Sequence, residues 1–259
     1  MKDLEQFRVD IADHIATVTF DRPPVNAQNR TTRDELTYVF DVLGERDDVR
    51  VVILTGAGDV FSAGADIKER AGMAERQPGD YPRHNRVVRE FFNSISDCPK
   101  PVIAAVNGPA IGAGFIMMLC CDIMIASDNA HFVMPEINVG LAGGARYLMD
   151  FFSRSKVRSI YFTGRRVPAA ELYRLGVIEA CPPRDKLMDM ATDFAREIAS
   201  KSPIAVQKIK RAMNAIEGMP VRDGYRYEQG VTIDLSHTED AREAQRAFVE
   251  KRKPVFKGR

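Results

Sequence analysis

Pro101-Val-Ile-Ala-Ala-Val-Asn-Gly-Pro-Ala-Ile-Gly-Ala-Gly-Phe-Ile-Met-Met-Leu-Cys-Cys-Asp122 is the stretch on which the reading of this chain turns. Its first six residues form a short apolar run rich in β-formers, Asn107-Gly108-Pro109 breaks it, and small residues then precede large apolar ones. That order predicts a buried strand, a turn, and a helix with no bulky side chain over its first amides. A helix start of this kind offers unpaired N–H groups and a partial positive charge to anything anionic. Fourteen residues past Asp122 stands Met134-Pro135-Glu136, a carboxylate set between apolar residues. Together they point to an oxyanion site with an acid/base group beside it.

Upstream, Phe7 to Ile11 and Ile15 to Phe20 alternate apolar and polar residues across a short Ala12-Asp13-His14 link, which predicts two hairpin-connected strands. The prolines of Asp21-Arg22-Pro23-Pro24-Val25-Asn26-Ala27 predict an extended loop. Thr32 and Glu35 match a capping box ahead of Leu36, Val39, Phe40 and Leu43 at helical spacing. Val49 to Leu54 reads as a strand, Phe61 to Lys68 as a small-residue loop opening into a charged helix, and Glu69 to Tyr81 as a polar, mobile segment. Val87, Val88, Phe91, Phe92 and Ile95 mark a further helix.

Downstream, Ile137 to Arg146 is a Gly/Ala loop running into a helix, Pro168 to Gly176 is a helix, and Val177 to Cys181 is the last strand candidate. From Arg184 onward the pattern is helical, with a second capping box at Ser236 and Glu239. Strands in the first two thirds and helices in the last third predict an α/β core with a helical C-terminal extension.

The 259 residues are 45% hydrophobic and 28% charged with a net charge of +1, ample for a full core and without an electrostatic case for nucleic acid or anionic membrane. The N-terminus lacks the apolar region of a signal peptide, and the longest apolar run, Pro109 to Cys121, is too short to cross a bilayer. Cys98, Cys120, Cys121 and Cys181 have no C-x-x-C spacing and are read as reduced thiols, which places the chain in the cytoplasm. His14, His84, His131 and His237 are scattered, so no metal site is expected.

Several stretches, taken together, resemble the crotonase superfamily, also called the enoyl-CoA hydratase/isomerase family: Arg22 to Ala27, Phe61 to Lys68, Pro101 to Gly114, Cys121-Asp122, Pro135-Glu136, Ser202 to Val206 and the tail Phe248 to Phe256. The resemblance covers nearly the whole chain. It implies an α/β fold, a spiral of stacked ββα units over residues 1–195, and a C-terminal helical oligomerisation region, residues 196–259, that builds trimers or hexamers. It implies an acyl-CoA thioester as substrate, as in fatty-acid metabolism, with coenzyme A part of the substrate and no separate cofactor. By position the oxyanion hole falls on the backbone amides of Ala65 and Ala113, and the acid/base group on Glu136. The coenzyme A contacts fall on Arg22, Val25, Ala27, Ala63, Asp66, Ile67 and Lys68, with Phe248 and Lys251 reaching a neighbouring subunit's pocket.

One departure bears on the reaction. Hydratases of this family carry a second glutamate in the helix after the glycine-rich loop, and Ile116 stands there. With one carboxylate the expected reaction is a proton shuttle that moves a double bond. Hydration, decarboxylation, thioester hydrolysis and non-catalytic CoA binding remain open at this point. Ile116 and Leu141 are expected to line the acyl pocket, whose Gly140 to Arg146 loop is shorter than the family's usual one. Val133, Met134, Ile137 and Val139 are expected to give Glu136 an apolar setting that raises its pKa. Asp122 is expected to tie down a buried turn, and His131 and Arg146 to stand aside from the chemistry.

Overall fold

The computed structural model describes residues 3–71 and 77–259. The chain begins with β1 (Phe7–Ala12), β2 (Ile15–Phe20), β3 (Ala27–Gln28), α1 (Arg30–Glu45), β4 (Val51–Gly56), β5 (Gly64–Ala65), α2 (Ile67–Ala71) and α3 (Asp80–Ser96). It continues through β6 (Val102–Val106), β7 (Ala110–Ile111), α4 (Ala113–Leu119), β8 (Ile123–Ala126), β9 (His131–Val133) and a 3₁₀ turn at Glu136–Val139. Then come α5 (Ala145–Phe151), α6 (Arg154–Thr163), β10 (Val167–Pro168) and α7 (Ala169–Arg174). The helices α8 (Leu187–Ala199), α9 (Pro203–Ile216), α10 (Val221–Ser236) and α11 (Glu239–Val249) complete it.

The main sheet runs β1-β2-β4-β6-β8, antiparallel at β1/β2 and parallel from β2 onward. Short strands form a second layer, with β3 on β5 and β7 on β9, bridged at Ser62↔Ala110. Each turn of the spiral thus contributes a long strand, a short strand and a helix.

The central parallel strands β4, β6 and β8 are apolar along nearly all their length because both faces are covered. Val52 and Leu54 of β4, with Val102, Ala104 and Val106 of β6, face the larger core with α1, α3 and α4. The alternating residues Val51, Ile53, Ile103 and Ala105 face Leu187, Ala191 and Ala195 of α8. A period of two on the strands therefore serves two separate cores.

Three local expectations are corrected. The cap of α1 is Asn29, whose side chain accepts from the Thr32 amide. Glu35 instead accepts from the Glu5 and Gln6 amides and pins the N-terminal segment to α1. Thr238, not Ser236, caps α11 through the Ala241 amide. The segment Val177–Cys181 makes a single bridge, Ile125↔Ala180, and no strand. The Glu69 to Tyr81 segment is helical at both of its ends, in α2 and α3, and its residues 72–76 lie outside the described residues. No helix is long and apolar enough to cross a membrane among the described residues.

Candidate active site

Two glycines let two loops approach each other as backbone. Ser62 is buried; its hydroxyl donates to the Asn26 carbonyl and accepts from Gln28 Nε2 and from the Gly64 amide. The Ile111 amide donates to the Ser62 carbonyl at 2.9 Å, which stitches the β5 loop to β7. Gly64 has φ +81°, and a β-carbon there would lie 2.4 Å from the Ile111 carbonyl and 3.2 Å from the Ala113 nitrogen. A β-carbon at Gly114 would lie 2.5 Å from the Ser62 carbonyl. The Ala113 amide is therefore held against the residue that precedes Ala65. The first bond within α4 runs from the Ile116 amide to the Gly112 carbonyl, so the helix itself does not use the amides of residues 113–115.

Glu136 enters from the 3₁₀ turn after Pro135. Its Oε1 lies where a β-carbon on Gly112 would come within 2.5 Å, and its Oε2 is buried. The carboxylate thus packs on the backbone immediately before Ala113. Val133 and Met134 behind it are buried, whereas Ile137 and Val139, expected in its apolar setting, are 48% and 66% exposed. They lie on the 3₁₀ turn, which directs them outward while its carbonyls receive the Gly140 and Leu141 amides.

These groups share a cavity of about 420 Å³, lined on this side by Ala65, Ala113, Ile116 and Glu136. Ile116 is 2% exposed and occupies the wall beside Glu136. A β-carbon on Gly144 would sit 2.7 Å from Ile116 Cδ1 and 3.2 Å from the Tyr161 hydroxyl. Tyr161 donates to the Gly143 carbonyl and so braces the short loop from α6. Burial, with Glu136 adding to it, pushes the Tyr161 hydroxyl far above its ordinary range and keeps it protonated. Leu141 does not line the cavity; Ala142, Gly143 and Gly144 do, because the Leu141 amide turns back onto the Glu136 carbonyl.

Next to Ala65 in the chain, Asp66 pairs with Arg22 at 2.7 Å, and Arg22 also donates to the Ala27 carbonyl. Burial pushes the Asp66 carboxyl up, but Arg22 and the Lys68 and Glu69 amides outweigh it and hold the group below its usual range. Ala63 is fixed by its amide on the Val25 carbonyl. Val25, Ile67 and Lys68 are exposed beside this loop. Phe248 and Lys251, at the end of α11, are exposed and do not line the cavity of their own chain. Residues the sequence reading did not place at the site also line the wall: Gln28, Arg33 and Glu69, then Tyr81, His84, Asn85, Val88, Arg89, Phe91 and Phe92 from α3, and Tyr147 from α5. The helical period of α3 was visible, but which of its faces met a cavity was not.

Asp122 accepts from the Val102 amide and from buried Lys210, both at 2.7 Å, and ties the end of α4 to β6 and α9. His131 pairs across β9 and β10, Arg146 pairs with Asp150, and neither lines the cavity. Among the described residues, no group of three or more His, Cys, Asp or Glu is placed to hold a metal ion.

A ββα spiral with two loop amides, a carboxylate and a cavity between them defines a class of enzymes that act on coenzyme A thioesters. The enoyl-CoA hydratase/isomerase family model matches residues 10–259, and the chain belongs to that family, the crotonase superfamily. It is 39% identical over 256 residues to a carnitinyl-CoA dehydratase of Citrobacter koseri, covering 95% of each chain. It is similar to an enoyl-CoA hydratase structure from Bacillus anthracis, with TM-score 0.93 and 34% identity over 98% of this chain and 100% of that one. An enoyl-CoA hydratase structure from Mycobacterium smegmatis gives TM-score 0.92 at 27% identity, over 97% and 99% of the two chains.

Proposed function

We propose that this enzyme isomerises an enoyl-CoA with Glu136 as its single acid/base group. The observation that carries this reading is Ile116, a buried aliphatic side chain on the wall where a second carboxylate would be needed to hold a water. In the proposed reaction the Glu136 carboxylate takes a proton from C2 of a 3-enoyl-CoA. The electron pair moves onto the thioester oxygen, which accepts hydrogen bonds from the Ala65 and Ala113 amides, each worth about 3 kcal/mol in comparable oxyanion holes. The protonated Glu136 returns the proton at C4, and the double bond ends between C2 and C3. Atoms balance with no cofactor beyond the coenzyme A of the substrate.

Arg22, Ala27, Ala63, Asp66, Ile67 and Lys68 form the proposed coenzyme A mouth, with Val25 at its edge. The proposed assembly is a trimer or hexamer in which Phe248 and Lys251 of one subunit reach the mouth of another. Its oligomerisation region starts within α8, which spans the 195/196 boundary. Incubation with a 3-enoyl-CoA should yield the conjugated 2-enoyl-CoA, and Glu136→Gln should abolish the conversion while leaving the fold intact. A Glu136→Gln enzyme at wild-type rate refutes the proposal. A second reading, reversible addition of water, is favoured by the names of the dehydratase and hydratase relatives. Water-dependent loss of the conjugated chromophore of crotonyl-CoA by the wild type would select it.

A further inference from the structure

We infer that the acyl end of the cavity is built for a thioester whose acyl group ends in a carboxylate, held by Arg89 with Asn85 one helical turn away. The inference rests on the acyl-CoA reading of this cavity but not on which reaction follows.

The arginines around the cavity are not equivalent. Arg22 is committed to Asp66, and Arg33, 4% exposed, is committed to Glu69 and to the Gln28 carbonyl. Arg89 lines the same cavity, is exposed, and has no ion pair or hydrogen bond among the described residues. Its place on α3 fixes which end of the cavity it serves. Phe92, three residues on, packs its ring on Tyr147 at 5.6 Å, and the Tyr147 amide donates to the Gly144 carbonyl, beside Ile116. The wall therefore runs from Ile116 through Tyr147 and Phe92 to Arg89, and one more turn of about 5.4 Å brings Asn85 onto the same stripe. This wall is the Ile116 side of the cavity, whereas the coenzyme A mouth is proposed at Asp66.

A guanidinium presents a planar fork of donors that matches a carboxylate in two parallel hydrogen bonds, more strongly where water is partly excluded. Asn85 supplies a neutral donor and acceptor on the same side. The same charge repels an acyl group ending in a quaternary ammonium, so the site discriminates by both attraction and repulsion. The apolar stretch between, Val88 and Phe92, suits the short methylene chain that separates a thioester from a terminal carboxylate.

The test is binding of saturated thioesters to the full-length protein by calorimetry, which needs no turnover. Glutaryl-CoA should bind at least about tenfold more tightly than butyryl-CoA, as a charge-assisted hydrogen-bonded pair requires. A butyryl-CoA analogue carrying a terminal trimethylammonium should bind more weakly than butyryl-CoA itself. In Arg89→Leu the glutaryl advantage should vanish, and in Arg89→Lys part of it should remain. Equal affinity of the wild type for glutaryl- and butyryl-CoA overturns the inference. So does an Arg89→Leu protein that loses affinity for both ligands equally, which would assign the guanidinium to the coenzyme A phosphates. If butyryl-CoA binds without preference over glutaryl-CoA, the acyl-CoA reading survives and only the carboxylate site falls.

Discussion

Gly64→Ala tests the geometry on which the proposed chemistry depends. At φ +81° an L-residue costs about 1–2 kcal/mol, and the added β-carbon would lie 2.4 Å from the Ile111 carbonyl, a contact that backbone must relieve. Restoring ordinary separation moves the 62–65 loop from the 111–113 loop by roughly 0.6 Å or more, while oxyanion donors work within about 2.7–3.1 Å of the oxygen. The Ala65 and Ala113 amides would then no longer reach one oxygen together. The expected result is a kcat lower by roughly 10²-fold, close to the loss of one donor, with a smaller change in KM. Melting should fall by about 2–8 °C for a chain of this size. Gly58→Ala is the control: φ is +67° and nothing lies within 4 Å of its added β-carbon, so it carries the same backbone strain away from the site. It should lose less stability than Gly64→Ala, because only the φ cost applies, and keep kcat. Wild-type kcat in Gly64→Ala, measured on whichever enoyl-CoA the enzyme turns over, would refute the two-amide oxyanion site.

Ile116→Glu should raise hydration of crotonyl-CoA above the wild-type level while lowering the melting temperature, because a 2% exposed site must accept a carboxylate. No rise in hydration would refute the role given to this position. Glu243 holds the C-terminal tail through Arg252 and the Val255 amide, and these partners bring its pKa down to about 2. A depressed carboxylate pKa contributes stability that is complete above the ordinary glutamate range and is lost as pH falls toward about 2. A carboxyl NMR titration of Glu243 should therefore show its midpoint near 2, and a midpoint at the ordinary glutamate value would refute the anchoring.

Much of the spiral was legible because its signals are local. The apolar runs of β4 and β6, the period of α1 and α3, and the break at Asn107-Gly108-Pro109 each depend on residues within a few positions of one another. The stretches that carry the family resemblance are short for the same reason, and Ile116 stood out only through that resemblance. The capping residues were not legible. Thr32 and Glu35 satisfy a local rule, yet Glu35 is drawn to amides about thirty residues earlier in the chain, at Glu5 and Gln6. Leu141 stays off the cavity wall, its amide bonded back to the Glu136 carbonyl.

By itself the amino-acid sequence determined the succession of strands and helices, the apolar faces they had to bury, and an isoleucine at position 116 in the helix after the glycine-rich loop. Tertiary structure alone decided that the backbone at residues 111–113 fills the space beside Gly64, that Lys210 pairs with Asp122 across 88 residues, and that α3 turns Arg89 into the cavity. The reason is physical. Periodicity fixes which side of an element is apolar, but the identity of what faces it depends on chain segments far apart in sequence, whose approach is set by packing of the whole core.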